Sequence, residues 1–237
     1  MKKLIIVCFV SLFLSKNSFS INDYKEGDTL YVWAPNGVTL RTEKSETSDK
    51  ILAIKYGEKV VVLEHKNVHD EEYVIEINIE NSDGINDDFL IEGAWVKVKY
   101  RNTIGYIFDG YVSKLIPMKS GENFIEYAER SFNKVKVFDN FKEDYRVHYH
   151  VVYDNGIMID NEANIKCSNY GINIYFLPMT LEEAYLIFVA KYFCKVQESD
   201  CIYKGCNSGI FGFEFGIGGI DILQENNYVV VKEWNSN

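Results

Sequence analysis

The chain is poor in the residue types that most enzyme centres need. It has four histidines, His65, His69, His148 and His150. None follows Cys201, so "SDCIYKGCNSG" lacks the downstream histidine that would activate a thiol nucleophile. His148 and His150 share one face of an expected strand without a third ligand beside them, and His65 and His69 fall in an expected loop. No metal is therefore expected. "GIGGID" has glycines but neither the P-loop lysine nor the Gly-x-Gly-x-x-Gly spacing, so no nucleotide cofactor is expected either. Glu214, between Phe213 and Phe215, would titrate high if buried, but on an alternating strand it belongs to the solvent side.

Positive charge is also scarce. Twenty-five Lys and Arg stand against 35 Asp and Glu, a net charge of −10. That balance argues against nucleic acid and anionic membrane surfaces, which call for clustered bases. The longest apolar stretch, Leu4 to Leu14, is about half of the roughly twenty residues a membrane span needs. Behind Lys2 and Lys3 and ahead of Ser18-Phe19-Ser20 it reads as a signal peptide over residues 1–20, so export to the periplasm, cell surface or medium is expected with no transmembrane anchor left. Val7 stands where lipid attachment at Cys8 would need a small residue. Without the signal, 22 bases face 35 acids, a net charge of −13. Four cysteines then remain, Cys167, Cys194, Cys201 and Cys206, all in the last third. In an exported chain they are disulfide candidates with three connectivities open, buried free thiols being the alternative. Their gaps lack the tight spacing of structural zinc sites.

What the chain does have is alternation. "TLYVWAP", "VTLRT" and "KILAIKYGEKVVVLE" read as short strands with turns at Asn36-Gly37 and Tyr56-Gly57, followed by "WVKVKY". Five or so short strands with glycine at the corners suggest a small closed barrel over residues 28–116. An insertion at 65–92 interrupts it. From Glu64 to Glu92 there are ten acids and one base, Lys66. "EYVIEINIE" within it alternates as an extra strand, and "NSDGINDD" lacks the EF-hand order. A linker over 117–134 holds a short helix that Ser120 can cap. Residues 135–237 return to strands, with a hairpin at Asp154-Asn155-Gly156 and one principal helix, "TLEEAYLIFVAKYFCK". Thr180 and Glu183 form a capping box there, and Leu181, Ala184, Tyr185, Phe188 and Tyr192 an apolar stripe. The expected fold is mainly β: a small barrel followed by an α+β domain with one main helix on an antiparallel sheet.

The motif order of the first part resembles a bacterial SH3 (SH3b) domain over residues 28–115. Val38, Leu40, Arg41, Ser45, Gly57, Val60, Val62, Trp95, Val98, Gly105, Tyr106, Ile107 and Tyr111 occupy the matching positions. The closing strand, "GYIFDGYV", is also similar to that of eukaryotic SH3 domains, with Phe108 where those have proline. The resemblance implies a groove for an extended peptide at Trp95, Phe108 and Tyr111, and recognition of a cell-envelope peptide. Period two supports the location independently: Trp95, Lys97 and Lys99 oppose Val96, Val98 and Tyr100, and Tyr31 and Trp33 oppose Leu30 and Val32. Trp33, Trp95, Phe108 and Tyr111 are thus the candidate ligand-binding surface, unless the acidic excursion or the second domain covers them. The expected function is non-enzymatic binding of a peptide or a peptidoglycan component. The alternatives are a cell-envelope hydrolase with its active site in the C-terminal domain, and an inhibitory or structural protein docking a basic partner through its acidic insertion.

Overall fold

The computed structural model describes residues 24–64, 73–80, 86–143, 146–164, 170–193, 201–207, 210–215, 218–225 and 228–235. The signal segment, Cys167 and Cys194 lie outside them. The fold is mainly β, with two antiparallel sheets.

The first sheet uses β1 (Thr29–Val32), β2 (Val38–Arg41), β3 (Lys50–Ile54), β4 (Lys59–Val62), β7 (Trp95–Tyr100), β8 (Thr103–Phe108) and β9 (Val112–Ser113), in the order β3-β2-β8-β7-β4-β1-β9. The ladder ends at β3 and at the two-residue β9, so it stays open instead of closing as the expected barrel. Its corners are set by backbone conformation. Gly37 has φ of +78°, and a Cβ there would sit 2.3 Å from the carbonyl oxygen of Ile54. Only glycine meets both conditions. One face of the sheet is a closed aliphatic core in which Leu30, Val32, Leu40, Val60, Val98 and Ile107 are buried.

The acidic excursion forms a hairpin of β5 (Tyr73–Glu80) and β6 (Asn86–Gly93). Its register sets Ile75, Ile77 and Ile79 opposite Ile91, Phe89 and Asp87, and sets Glu76 and Glu80 opposite Leu90 and Asn86. Isoleucine and acid therefore alternate along β5, and Ile91 at the root of the hairpin is buried.

The second sheet uses β10 (Lys134–Glu143), β11 (Arg146–Tyr153), β12 (Met158–Asn164), β13 (Tyr170–Leu177), β14 (Cys201–Asn207), β15 (Ile210–Phe215), β16 (Gly218–Glu225) and β17 (Tyr228–Asn235). Their order is β10-β11-β12-β13-β17-β16-β15-β14. The hairpin expected at Asp154-Asn155-Gly156 joins β11 to β12, with Gly156 at φ of +85°.

Two helices lie between the sheets. The linker helix, α1 (Phe124–Ser131), starts three residues later than the Ser120 cap implied. Gly121 takes a positive φ of +79°, which ends the preceding turn. Asn123 is the cap: it accepts from the Glu126 amide at 2.9 Å, and Glu126 accepts from the Asn123 amide at 3.0 Å. The principal helix, α2 (Leu181–Phe193), buries Glu183, Ala184, Tyr185, Leu186, Ile187 and Phe188 in succession. A single stripe would leave Leu186 and Ile187 wet. Burial all round follows from having a sheet on each side: α2 touches β16 and β17 of one sheet and the turn after β8 of the other. Among the described residues no helix is long and apolar enough to cross a membrane.

Gly37→Ala should lower the unfolding free energy by about 1–3 kcal/mol in urea titration, through backbone strain and collision with Ile54. Gly27 also has positive φ, but no atom lies within 4 Å of the added carbon. Gly27→Ala should therefore cost less than Gly37→Ala.

Candidate functional site

The register that pairs Trp95 with Phe108 brings two of the four expected aromatics side by side. Their ring centroids are 6.3 Å apart, and Phe108 lies 5.4 Å from Tyr111, which a 3-10 turn over Asp109–Tyr111 turns back over it. The turn is pinned from inside. Asp109 is fully buried and accepts from the Tyr24 hydroxyl and the Ala94 amide, both at 2.6 Å. At Gly93 a Cβ would stand 2.5 Å from the Asp109 carboxylate and 2.7 Å from the Phe108 ring, so the strand passes there without a side chain.

The division of β1 and β7 into two faces is as alternation implies: Val96, Val98 and Tyr100 are buried, Lys99 is exposed, and Trp95 and Lys97 are intermediate. The second face is not an open groove, however. Trp33 is 1% exposed and Phe108 2%, and both belong to the core shared with the second sheet instead of the aliphatic core of their own. Alternation tells which side a residue faces; it is silent on what packs there. Trp33 meets Tyr56 and, from α1, Tyr127, edge to face at 6.2 Å and 6.1 Å. Its indole Nε1 donates to the Leu115 carbonyl at 2.9 Å, and Tyr56 donates to the Met118 carbonyl at 3.1 Å. The stack continues from Tyr127 to Phe124, and from Phe124 to Tyr175 of β13 and Phe188 of α2. Ile91 adds the root of the acidic hairpin to the same core. Both covers weighed from the sequence, the excursion and the second domain, are thus in place.

Trp95 and Tyr111 remain half-buried at the rim. Burial and the nearby Glu46 raise the ionisation of Tyr111 above the usual tyrosine range. Beside them on the outward face, Lys97 and Lys44 each stand 5.9 Å from the Tyr106 ring, and Lys97 pairs with Glu64 at 2.6 Å. The rim therefore offers aromatic surface together with charge of both signs.

One group at this seam was misread from the sequence. Thr180 and Glu183 make half of the capping box: the Thr180 hydroxyl accepts from the Glu183 amide at 3.2 Å. The Glu183 carboxyl feels the Thr180 amide at the cap, which favours its anion, but its hydrogen bond runs to another element. Its Oε1 accepts from the Ser113 hydroxyl of β9, whose oxygen in turn accepts from the Leu115 amide at 3.0 Å. Oε2 is buried without a hydrogen-bond partner among the described residues. Burial pushes this acid up to about 8, against the lowering effect of Ser113 and of the helix start. A capping box and an inter-sheet anchor have the same sequence signature; only the position of Ser113 distinguishes them.

The other expected groups are dispersed. His150 lies opposite Asp160, and His148 opposite Glu162, in the β11–β12 register. Glu214 is opposite Ile202 and Gly219. No group of three His, Cys, Asp or Glu able to hold a metal occurs among the described residues. Cys201 and Cys206 both lie on β14. Comparison of the chain with family models, with curated proteins and with solved structures gives no match.

Trp33→Ala should cost about 3–5 kcal/mol in chemical denaturation, the range for deleting a large buried aromatic, whereas Trp95→Ala, at the half-buried rim, should cost clearly less. Equal losses would contradict the different burial of the two indoles.

Proposed function

We propose that the protein is an exported bacterial binding protein without chemistry of its own, whose SH3b-like first unit takes an extended peptide or a peptidoglycan stem peptide along the Trp95–Tyr111 rim. The carrying observation is the split within the aromatic set. Trp33 and Phe108 are withdrawn into the seam, while Trp95 and Tyr111 keep part of their rings at the surface beside Lys97, Glu46 and Tyr106. Half-buried rings are held in place before a ligand arrives, so little side-chain entropy is lost on contact. Stem peptides carry both carboxylates and amines, which suits a rim with both charge signs. Glu183, the acid near this surface that burial raises, is sealed from solvent, which is the environment of a structural anchor and not of an acid or base that must reach a substrate.

Trp95→Ala, with an unchanged far-ultraviolet circular dichroism spectrum, should reduce retention on purified peptidoglycan or its stem peptides at least several-fold. Retention equal to that of the unaltered protein would remove the rim from the binding surface.

A further inference from the structure

Glu183 is a carboxylic acid placed between two bodies that otherwise meet through apolar contacts. Its neighbours come from three elements. From α2 comes Glu182, which disfavours a second negative charge; from the end of the first sheet come Ser113 and Lys114; from α1 comes Tyr127. Two residues along α2, Tyr185 faces Tyr111. Lys114 is the one cation in this set, and it is engaged with Asp28 at 3.0 Å. The Thr180 amide at the start of α2 and the Ser113 hydroxyl favour the anion, but Oε2 has no hydrogen-bond partner among the described residues and the side chain is buried. An unsolvated charge costs more than one hydroxyl and a helix end return.

We propose that the joint between β9 and the first turn of α2 is proton-gated: it is closed with Glu183 as the neutral acid, and losing that proton draws the first turn of α2 away from Ser113 and lets water into the rim beside Tyr111 and Tyr185. The opening is local. One buried charge can offset the contacts of a single helical turn, while the ring stack of Trp33, Tyr127 and Phe124 farther inside is untouched by it. This inference concerns the joint alone and holds whether or not the rim binds a peptide.

The direction with pH follows from linkage. In the open joint Glu183 is an ordinary solvated acid that titrates near 4.5; in the closed joint burial pushes it up to about 8. Between those limits opening releases one proton. The opening equilibrium therefore rises about tenfold per pH unit through that window and levels off above it, where the closed form is ionised as well. The Leu115 amide, bonded to the Ser113 oxygen, and the Ala184 amide, bonded to the Thr180 carbonyl, report the joint directly.

The test is amide hydrogen exchange of residues 21–237 between pH 5.5 and 9, corrected for the intrinsic rate and read at 110–116 and 180–187. Protection should fall about tenfold per pH unit up to near pH 8 and then flatten, while segments of the second sheet distant from the joint hold steady. In Glu183→Gln, neutral at every pH and of the same shape, the profile at the joint should be flat. Ser113→Ala removes a hydrogen bond that favours the anion, so its decline should continue to a higher pH before flattening. A flat profile in the unaltered protein, the same slope in Glu183→Gln, or no displacement in Ser113→Ala would each overturn the proposal.

Discussion

The arrangement depends on where Trp33 puts its indole. The side chain leaves β1 on the face away from the aliphatic core, and its Nε1 finds the Leu115 carbonyl just past β9, where the chain departs for α1. That bond fixes the direction of the exit, and the edge contact with Tyr127 fixes where α1 comes to rest. Once α1 is there, Phe124 bridges to Tyr175 and Phe188, so the second sheet and α2 are held by the same stack. Burying a large aromatic side chain contributes about 1.5–3 kcal/mol. Several such rings in one seam outweigh the half-formed cap of α2 and the buried acid beside it, a lost cap being worth about 1 kcal/mol.

Much of this was legible in the sequence, and the reasons separate cleanly. Strands were readable because alternation and turn chemistry are local: Gly37 and Gly156 each adopt the positive φ that their turns call for. The two faces of "WVKVKY" were readable for the same reason. What covers the outer face was not, because Trp33 and Phe108 carry the same alternation whether they meet water, a ligand or another part of the chain. A trace of the answer was present in "AYLIFVA" of α2. A helix docked on one sheet needs a single stripe, and Leu186 and Ile187 lie off it, which signals a second covering surface. The 3-10 turn and its anchor on Asp109 left no local signature, since Tyr24 and Asp109 are 85 residues apart in the chain.

Charge follows a similar division. Along β5 isoleucine alternates with glutamate and asparagine, as the sequence reading expects of an extra strand. Glu183 is the exception. It takes the cap position its sequence implies but turns its carboxyl inward to Ser113, so that one polar bond crosses a seam built of rings. The same seam absorbs Trp33 and Phe108 and leaves Trp95 and Tyr111 at its edge, which is why the fold and the candidate surface cannot be varied independently at these positions.

The central claim is that the aromatic seam makes one cooperative body of the two sheets. Differential scanning calorimetry of residues 21–237 tests it most directly. A single transition whose calorimetric and van't Hoff enthalpies agree is the expected result, and Trp33→Ala should split it or lower it as a whole. Two separate transitions in the unaltered protein, only one of them sensitive to Trp33→Ala, would show that the sheets fold independently and would contradict the account.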